Sequence, residues 1–204
     1  ANSNLVAGRN EVSHVLLSGD RNVLVSSAYN RYAHKPSERT CMTVWERDEN
    51  GVFQERQYQN GYNCTGLSKD GDVLLASTWK EIFDYRIDSL GIWNRRENGS
   101  YGIKADKPDQ IIEYVSRSVL SEDKGILVTK SQNGLLGVWF RNRNGKYGKR
   151  QKDGSYKPHY WLGEERKYQE DPYKTEPLYL SGDGEMIAAV GEDFQFGIWF
   201  KNPD

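Results

Sequence analysis

Nucleophilic catalysis needs a Ser or Cys beside a base. The chain offers Cys41 and Cys64 as thiols and His14, His34 and His159 as bases. No Ser stands in a nucleophile elbow, and no Cys–His pair is spaced for activation. Two cysteines and three scattered histidines also fall short of a structural zinc site. Asp20, Asp70, Asp123 and Asp183 invite a calcium reading. Calcium needs several closely spaced oxygens, however, and only Asp70-Gly71-Asp72 brings two carboxylates near each other. No metal and no cofactor is therefore expected. Glu46, Glu49 and Glu55 show no acid/base pairing. The sequence leans away from an enzyme, although carboxylates distant in sequence can converge once a chain folds.

Binding chemistry is better represented. Aromatic side chains and Arg are the usual anchors of a binding surface. Tyr29, Arg31, His34, Trp79, Tyr85, Arg86, Tyr160 and Trp161 fall in segments that interrupt an otherwise regular pattern. Their plainer role is to cover small apolar clusters in their own loops. Residues 141–167 carry nine Lys or Arg against Asp153, Glu164 and Glu165, with Tyr147, Tyr156, Tyr160 and Trp161 interleaved. Basic plus aromatic suits single-stranded nucleic acid or an anionic glycan. A whole-chain charge of −1 favours instead a solvated hairpin, offset by Glu170, Asp171 and Glu176, and makes nucleic acid the weaker partner.

The elements that must position these groups are repeated. Leu17-Ser18-Gly19-Asp20, Leu67-Ser68-Lys69-Asp70, Leu120-Ser121-Glu122-Asp123 and Leu180-Ser181-Gly182-Asp183 are each followed by an apolar triplet and then by an apolar-Trp pair ending at Trp45, Trp93, Trp139 or Trp199. Three of the units place Gly before that pair. Three follow it with Asn-Gly, at Asn50-Gly51, Asn98-Gly99 and Asn144-Gly145. A period of roughly 50 to 60 residues built from short Val-, Ile- and Tyr-rich stretches reads as repeated four-stranded sheets. Strand a ends in Leu-Ser, strand b is the apolar triplet, strand c carries Trp, and Asn-Gly suits a hairpin into strand d. The four Trp residues are expected to pack between sheets rather than to stack on sugars. Trp79 and Trp161 stand outside the repeat and are the better sugar-stacking candidates.

The Leu-Ser-x-Asp corner and the apolar-Trp strand resemble WD40-type blades over nearly the whole chain. No Gly-His opens the units, and Glu46, Asn94, Phe140 and Phe200 stand where a Trp-Asp ending would place Asp. The resemblance implies an all-β fold: a β-propeller of four WD40-like blades in a single domain, 1–204, with units about 10–57, 58–105, 110–151 and 176–204 plus 1–9. Residues 1–9 would supply the last blade's outer strand. A half-ring completed by a second copy and a piece of a longer propeller are the alternatives.

The long stretches, about 29–40, 79–88 and 151–175, all map to b–c or d–a connections on one face, with short a–b and c–d turns on the other. Elaborated loops on a rigid scaffold usually carry function. The expected function is a non-enzymatic scaffold whose long-loop face binds a macromolecule, foremost a protein. A lectin using the loop aromatics is the alternative, and a hydrolase or lyase with a central carboxylate site is the second alternative. A homodimer is compatible with either binding role. The longest apolar run, Leu135 to Phe140, is too short for a membrane span or a secretory leader, so a soluble protein of unassigned compartment is expected. Asn63-Cys64-Thr65 and Asn98-Gly99-Ser100 are sequons by pattern, and bridging of Cys41 to Cys64 is left open.

Overall fold

A computed structural model describes residues 11–30, 32, 33, 35, 38–82, 85–102, 107–163, 177–190 and 196–201, with 81, 82, 85, 86 and 196 described through the backbone alone. The described residues are all-β, without an α-helix. The first sheet holds β1 (Glu11–Leu17), β2 (Val23–Tyr29), β3 (Thr40–Arg47) and β4 (Phe53–Asn60) in that order. The second holds β5 (Asn63–Leu67), β6 (Val73–Ile82), β7 (Tyr85–Asn94) and β8 (Gln110–Glu113). The third holds β9 (Val115–Leu120), β10 (Ile126–Ser131) and β11 (Leu136–Phe140). A separate hairpin follows, β12 (Lys149–Arg150) with β13 (Tyr156–Lys157), before β14 (Tyr160–Leu162) completes the sheet against β11. The fourth holds β15 (Leu178–Leu180), β16 (Met186–Val190) and β17 (Phe196–Phe200). Every pairing with a recorded register is antiparallel.

The Leu-Ser-x-Asp corners are one structure made four times. Ser18, Ser68, Ser121 and Ser181 donate their hydroxyls to the Asp two residues on, at 2.5 to 2.7 Å. The same hydroxyls accept the backbone N–H of Val23, Val73, Ile126 and Met186 at 2.9 to 3.0 Å. Each Asp in turn accepts a backbone N–H two residues further on. Small polar side chains can thus satisfy a turn that the sheet ladder leaves open. Corners also join neighbouring sheets. The Gly19 N–H donates to the Lys69 carbonyl at 2.6 Å, and the Glu122 N–H donates to that of Gly182 at 2.9 Å.

The chain packs as two compact units, Ala1–Arg86 with Leu90–Ile111 and Ile87–Ser89 with Ile112–Asp204. In the first unit Val23, Val25, Met42 and Val44 of the first sheet pack against Leu74, Ala76, Trp93 and Tyr101. In the second, Val128, Leu136 and Val138 pack against Leu178, Ile187 and Ala189, with Trp199 partly buried alongside. Burying each such aliphatic side chain contributes roughly 1.5–3 kcal/mol. The Gly-apolar-Trp spacing has a steric cause. A Cβ at Gly91 would lie 3.0 Å from the Trp93 indole nitrogen, and one at Gly137 would lie 2.8 Å from that of Trp139. In these two sheets the Trp ring folds back over the residue two before it, which favours Gly there; the first sheet carries Thr43 at that place.

Two expectations about connections need correction. Asn50-Gly51 leads straight into β4, as the sequence suggested. Asn98-Gly99 and Asn144-Gly145 instead close only single bridges, Arg95 with Tyr101 and Arg141 with Tyr147, and the outer strands β8 and β14 come later. The cause is a Tyr-Gly pair that the first sheet lacks. Tyr101 and Tyr147 are fully buried, and their hydroxyls donate to the carbonyls of Gly71 and Lys124 in the corner of the same sheet. Gly102 and Gly148 then turn at φ +84° and +92° over the Trp ring, and the chain leaves the sheet. The c–d connections of the second and third sheets are therefore long, and the elaborated segments do not all lie at one end of the sheets. Unit boundaries at 105 and 151 fall short of β8 and β14, and one at 58 cuts β4.

The second correction concerns 79–88. This stretch is largely the extended arms of β6 and β7, ten residues each, rather than a loop. Residues 1–9, proposed to complete the last sheet, lie outside the described residues, as do 164–175 of the third long stretch.

Candidate functional site

The best-formed cluster lies on the outer strand of the third sheet. β14 pairs with β11 through Leu136 with Leu162, Gly137 with Trp161 and Val138 with Tyr160. The chain enters this strand through Pro158 and His159. The His159 backbone N–H donates to the Val138 carbonyl at 2.7 Å, and its ring Nδ1 accepts the Phe140 N–H at 3.1 Å. That acceptor role requires an unprotonated Nδ1. Burial, and secondarily the charge of Lys149, holds the imidazole below its ordinary pKa, in keeping with a neutral ring. The ring lies 4.8 Å from that of Phe140, and Phe140 meets Tyr160 edge-on at 5.9 Å.

This packing fixes the strand and leaves its side chains presented. Tyr160 is 59% exposed and Trp161 53% exposed. Adjacent residues of a strand point to opposite faces, so the two aromatics flank the sheet edge. Lys149, Arg150 and Lys157, on the β12–β13 hairpin that precedes this strand, are all exposed. The cluster can therefore offer stacking surface, positive charge and the open edge of a strand.

The other anticipated residues are dispersed. Tyr29 ends β2 and is exposed, and Trp79 lies half-buried in β6. Tyr85 and Arg86 begin β7, with only their backbones described. Arg31 and His34 lie outside the described residues. Tyr160 and Trp161 occupy a strand rather than the d–a loop expected for them. Phe140 and His159 complete the cluster and were not singled out among the site residues. The signal for Phe140 was its place directly after the repeated Trp, where the WD40 pattern puts Asp.

Several of the described carboxylates are committed to structure. Glu46 binds Arg56 at 2.9 Å and also pairs with Arg95, while Asp109 pairs with Arg96 and accepts the Asn94 N–H at 2.6 Å. Asp20, Asp123, Asp153 and Asp183 are held below the usual carboxylate range, first by a Ser hydroxyl. The backbone N–H of Val52 does the same, first among causes, for Asp48. A general acid needs the opposite shift. Among the described residues no group of three or more His, Cys, Asp and Glu converges as metal ligands. Cys41 and Cys64 are buried and not joined in a disulfide, and burial pushes the Cys64 thiol up. Of the sequon residues, Asn98 is exposed and Asn63 is half-buried in β5. No helix among the described residues is long and apolar enough to cross a membrane.

No family model and no curated protein matches the chain. Among solved structures, a structural-genomics protein from Lactobacillus plantarum is similar at 17% identity and a TM-score of 0.43, over 72% of this chain. The match covers 42% of that protein, so this chain spans under half its length.

Proposed function

We propose that the four sheets are successive WD40-like blades of a β-propeller-type, non-enzymatic binding scaffold. Its recognition edge is β14, and the partner is an extended, acidic protein segment. The observation that carries this reading is the pair Tyr160–Trp161, half-exposed on an edge strand and followed back along the chain by Lys149, Arg150 and Lys157. An edge strand can add a partner's backbone to its ladder, the aromatics can take its side chains, and the cations can select its charge. Tyr29, Arg31, His34, Trp79, Tyr85 and Arg86 remain candidates for secondary contacts.

An array of extended peptides graded from basic to acidic tests this. Acidic members should bind and basic ones should not. Trp161→Ala should weaken binding by at least about tenfold, the loss typical of an aromatic anchor. Charge-independent binding, or none, would overturn the reading. The lectin alternative rests on the same exposed Trp161. It would be favoured by saturable binding on a glycan array that free sugar competes away and Trp161→Ala abolishes.

A further inference from the structure

The two compact units each leave one apolar sheet face open, and the two faces differ in kind. Inside each unit the sheet-to-sheet contact has the same composition. The leading sheet presents its Val/Ile face: Val25 and Val44 in one unit, Val128 and Val138 in the other. The following sheet presents its Trp face: Leu74 and Trp93, or Ile187 and Trp199. The fourth sheet has a Val/Ile-type face of its own. By register Met186 stands opposite Phe200, and Ala188 opposite both Ile198 and Tyr179. Ile198 occupies the position of Val44 and Ile92, which are fully buried, yet it is 47% exposed, and Phe200 beside it is 70% exposed. Tyr179 and Met186 are exposed on the same face.

The first sheet has a Trp-type face in the same condition. Leu17 stands opposite Leu24, and Val15 opposite Ser26. Trp45, paired with Leu24, lies on this face, half-buried, with its indole N–H donating to the Ser26 hydroxyl at 3.0 Å. Val15 is 57% exposed, and Val12 and Leu17 are exposed beside it. Contiguous exposed apolar residues mark an interaction surface rather than ordinary surface variation.

The geometry points to a second copy of this chain as the occupant: the Met186–Ile198–Phe200 face of one copy packs on the Val15–Leu24–Trp45 face of another. The contact repeats the sheet-to-sheet interface already present once in each unit, Val/Ile face against Trp face, and so needs no new kind of packing. It joins two different patches, so it is a heterologous contact, of the kind that either closes into a ring or runs on as a filament; the ring proposed is the smallest, two copies that each donate both faces. This inference does not rest on the β14 edge, whose residues take no part in it.

Sedimentation equilibrium of the full chain tests the proposal. The wild-type protein should weigh twice 23.5 kDa. Phe200→Asp and Val15→Asp should each give a monomer with unchanged circular dichroism, because both side chains are exposed within the chain. An equal mixture of the two variants should recover a dimer, since each still carries one intact face. Trp161→Ala should remain dimeric. A wild-type monomer at every concentration would overturn the proposal. So would a dimer indifferent to both substitutions, a dimer that only one of the two breaks, which is the mark of a contact between identical patches, or a mixture that stays monomeric.

Discussion

Trp93 buries an indole N–H that has no acceptor among the described residues. Its counterparts in the first and third sheets are satisfied: Trp45 donates to Ser26 Oγ at 3.0 Å and Trp139 to Thr129 Oγ1 at 2.8 Å. Each acceptor stands two residues beyond the Leu paired with the Trp, and in the second sheet that position is Ala76. A buried donor left unpaired costs about 1–3 kcal/mol. Ala76→Ser should therefore raise the unfolding free energy by about 1 kcal/mol in urea titration; a fall at constant m-value would show that the core there cannot take the hydroxyl. A second residue carries backbone strain. Arg21 sits at φ +60°, where the equivalent Gly71 and Gly184 sit at +74° and +76°. The left-handed conformation costs a residue with a Cβ about 1–2 kcal/mol, partly offset by the greater freedom of Gly in the unfolded chain. Arg21→Gly should thus stabilise by roughly 0.5–1 kcal/mol, visible as a higher thermal midpoint.

At the scale of the element, the corner and the tyrosine tether decide how each sheet is tied. Ser121 is buried and both donates to Asp123 and accepts from Ile126. Ser121→Ala should cost about 1–2 kcal/mol. The pH dependence follows from the same bond. The Asp123 carboxyl is held below its ordinary value, first by the Ser121 hydroxyl and then by the Gly125 N–H. Its contribution to stability is therefore present above the unfolded pKa, near 4, and is lost as pH falls through the lowered folded value. Ser121→Ala should flatten the acid limb of the stability profile, and an unchanged limb would count against the assignment. Tyr147 tests the tether, since Tyr147→Phe removes a 2.8 Å bond to the Lys124 carbonyl and should cost about 1 kcal/mol without changing the fold. The corners were legible because Ser and Asp act on backbone within five residues of themselves. The tether was not, because Tyr147 acts on a carbonyl twenty-three positions away, and Asn-Gly looks the same whether strand d follows at once or later.

Across the whole molecule, two kinds of surface coexist on a chain with a net charge of −1. The association proposed through the faces of Ile198 and Val15 would be apolar. The peptide binding proposed beside Lys149, Arg150 and Lys157 would be electrostatic. Raising salt from about 0.05 to about 0.5 M shortens the Debye length severalfold. Dimer mass should persist over that range while acidic-peptide affinity falls. If both fall together, the two surfaces are not distinct.

The sequence by itself determined the repeat, the all-β class, the four corners and the burial of Trp93 and Trp139, because each follows from side chains acting on their own strand or turn; Trp45 and Trp199, at the same place in the repeat, are only half-buried. Trp161 could be named as an aromatic outside the repeat, yet nothing local could put it on a strand opposite Gly137 or leave it open beside Tyr160. Placement of β8 and β14, the pairing of Glu46 with Arg95, and the contrast between covered Val44 and open Ile198 belong to the tertiary structure alone. Each depends on which segment lies across from a residue, a relation between distant parts of the chain that neither periodicity nor composition encodes.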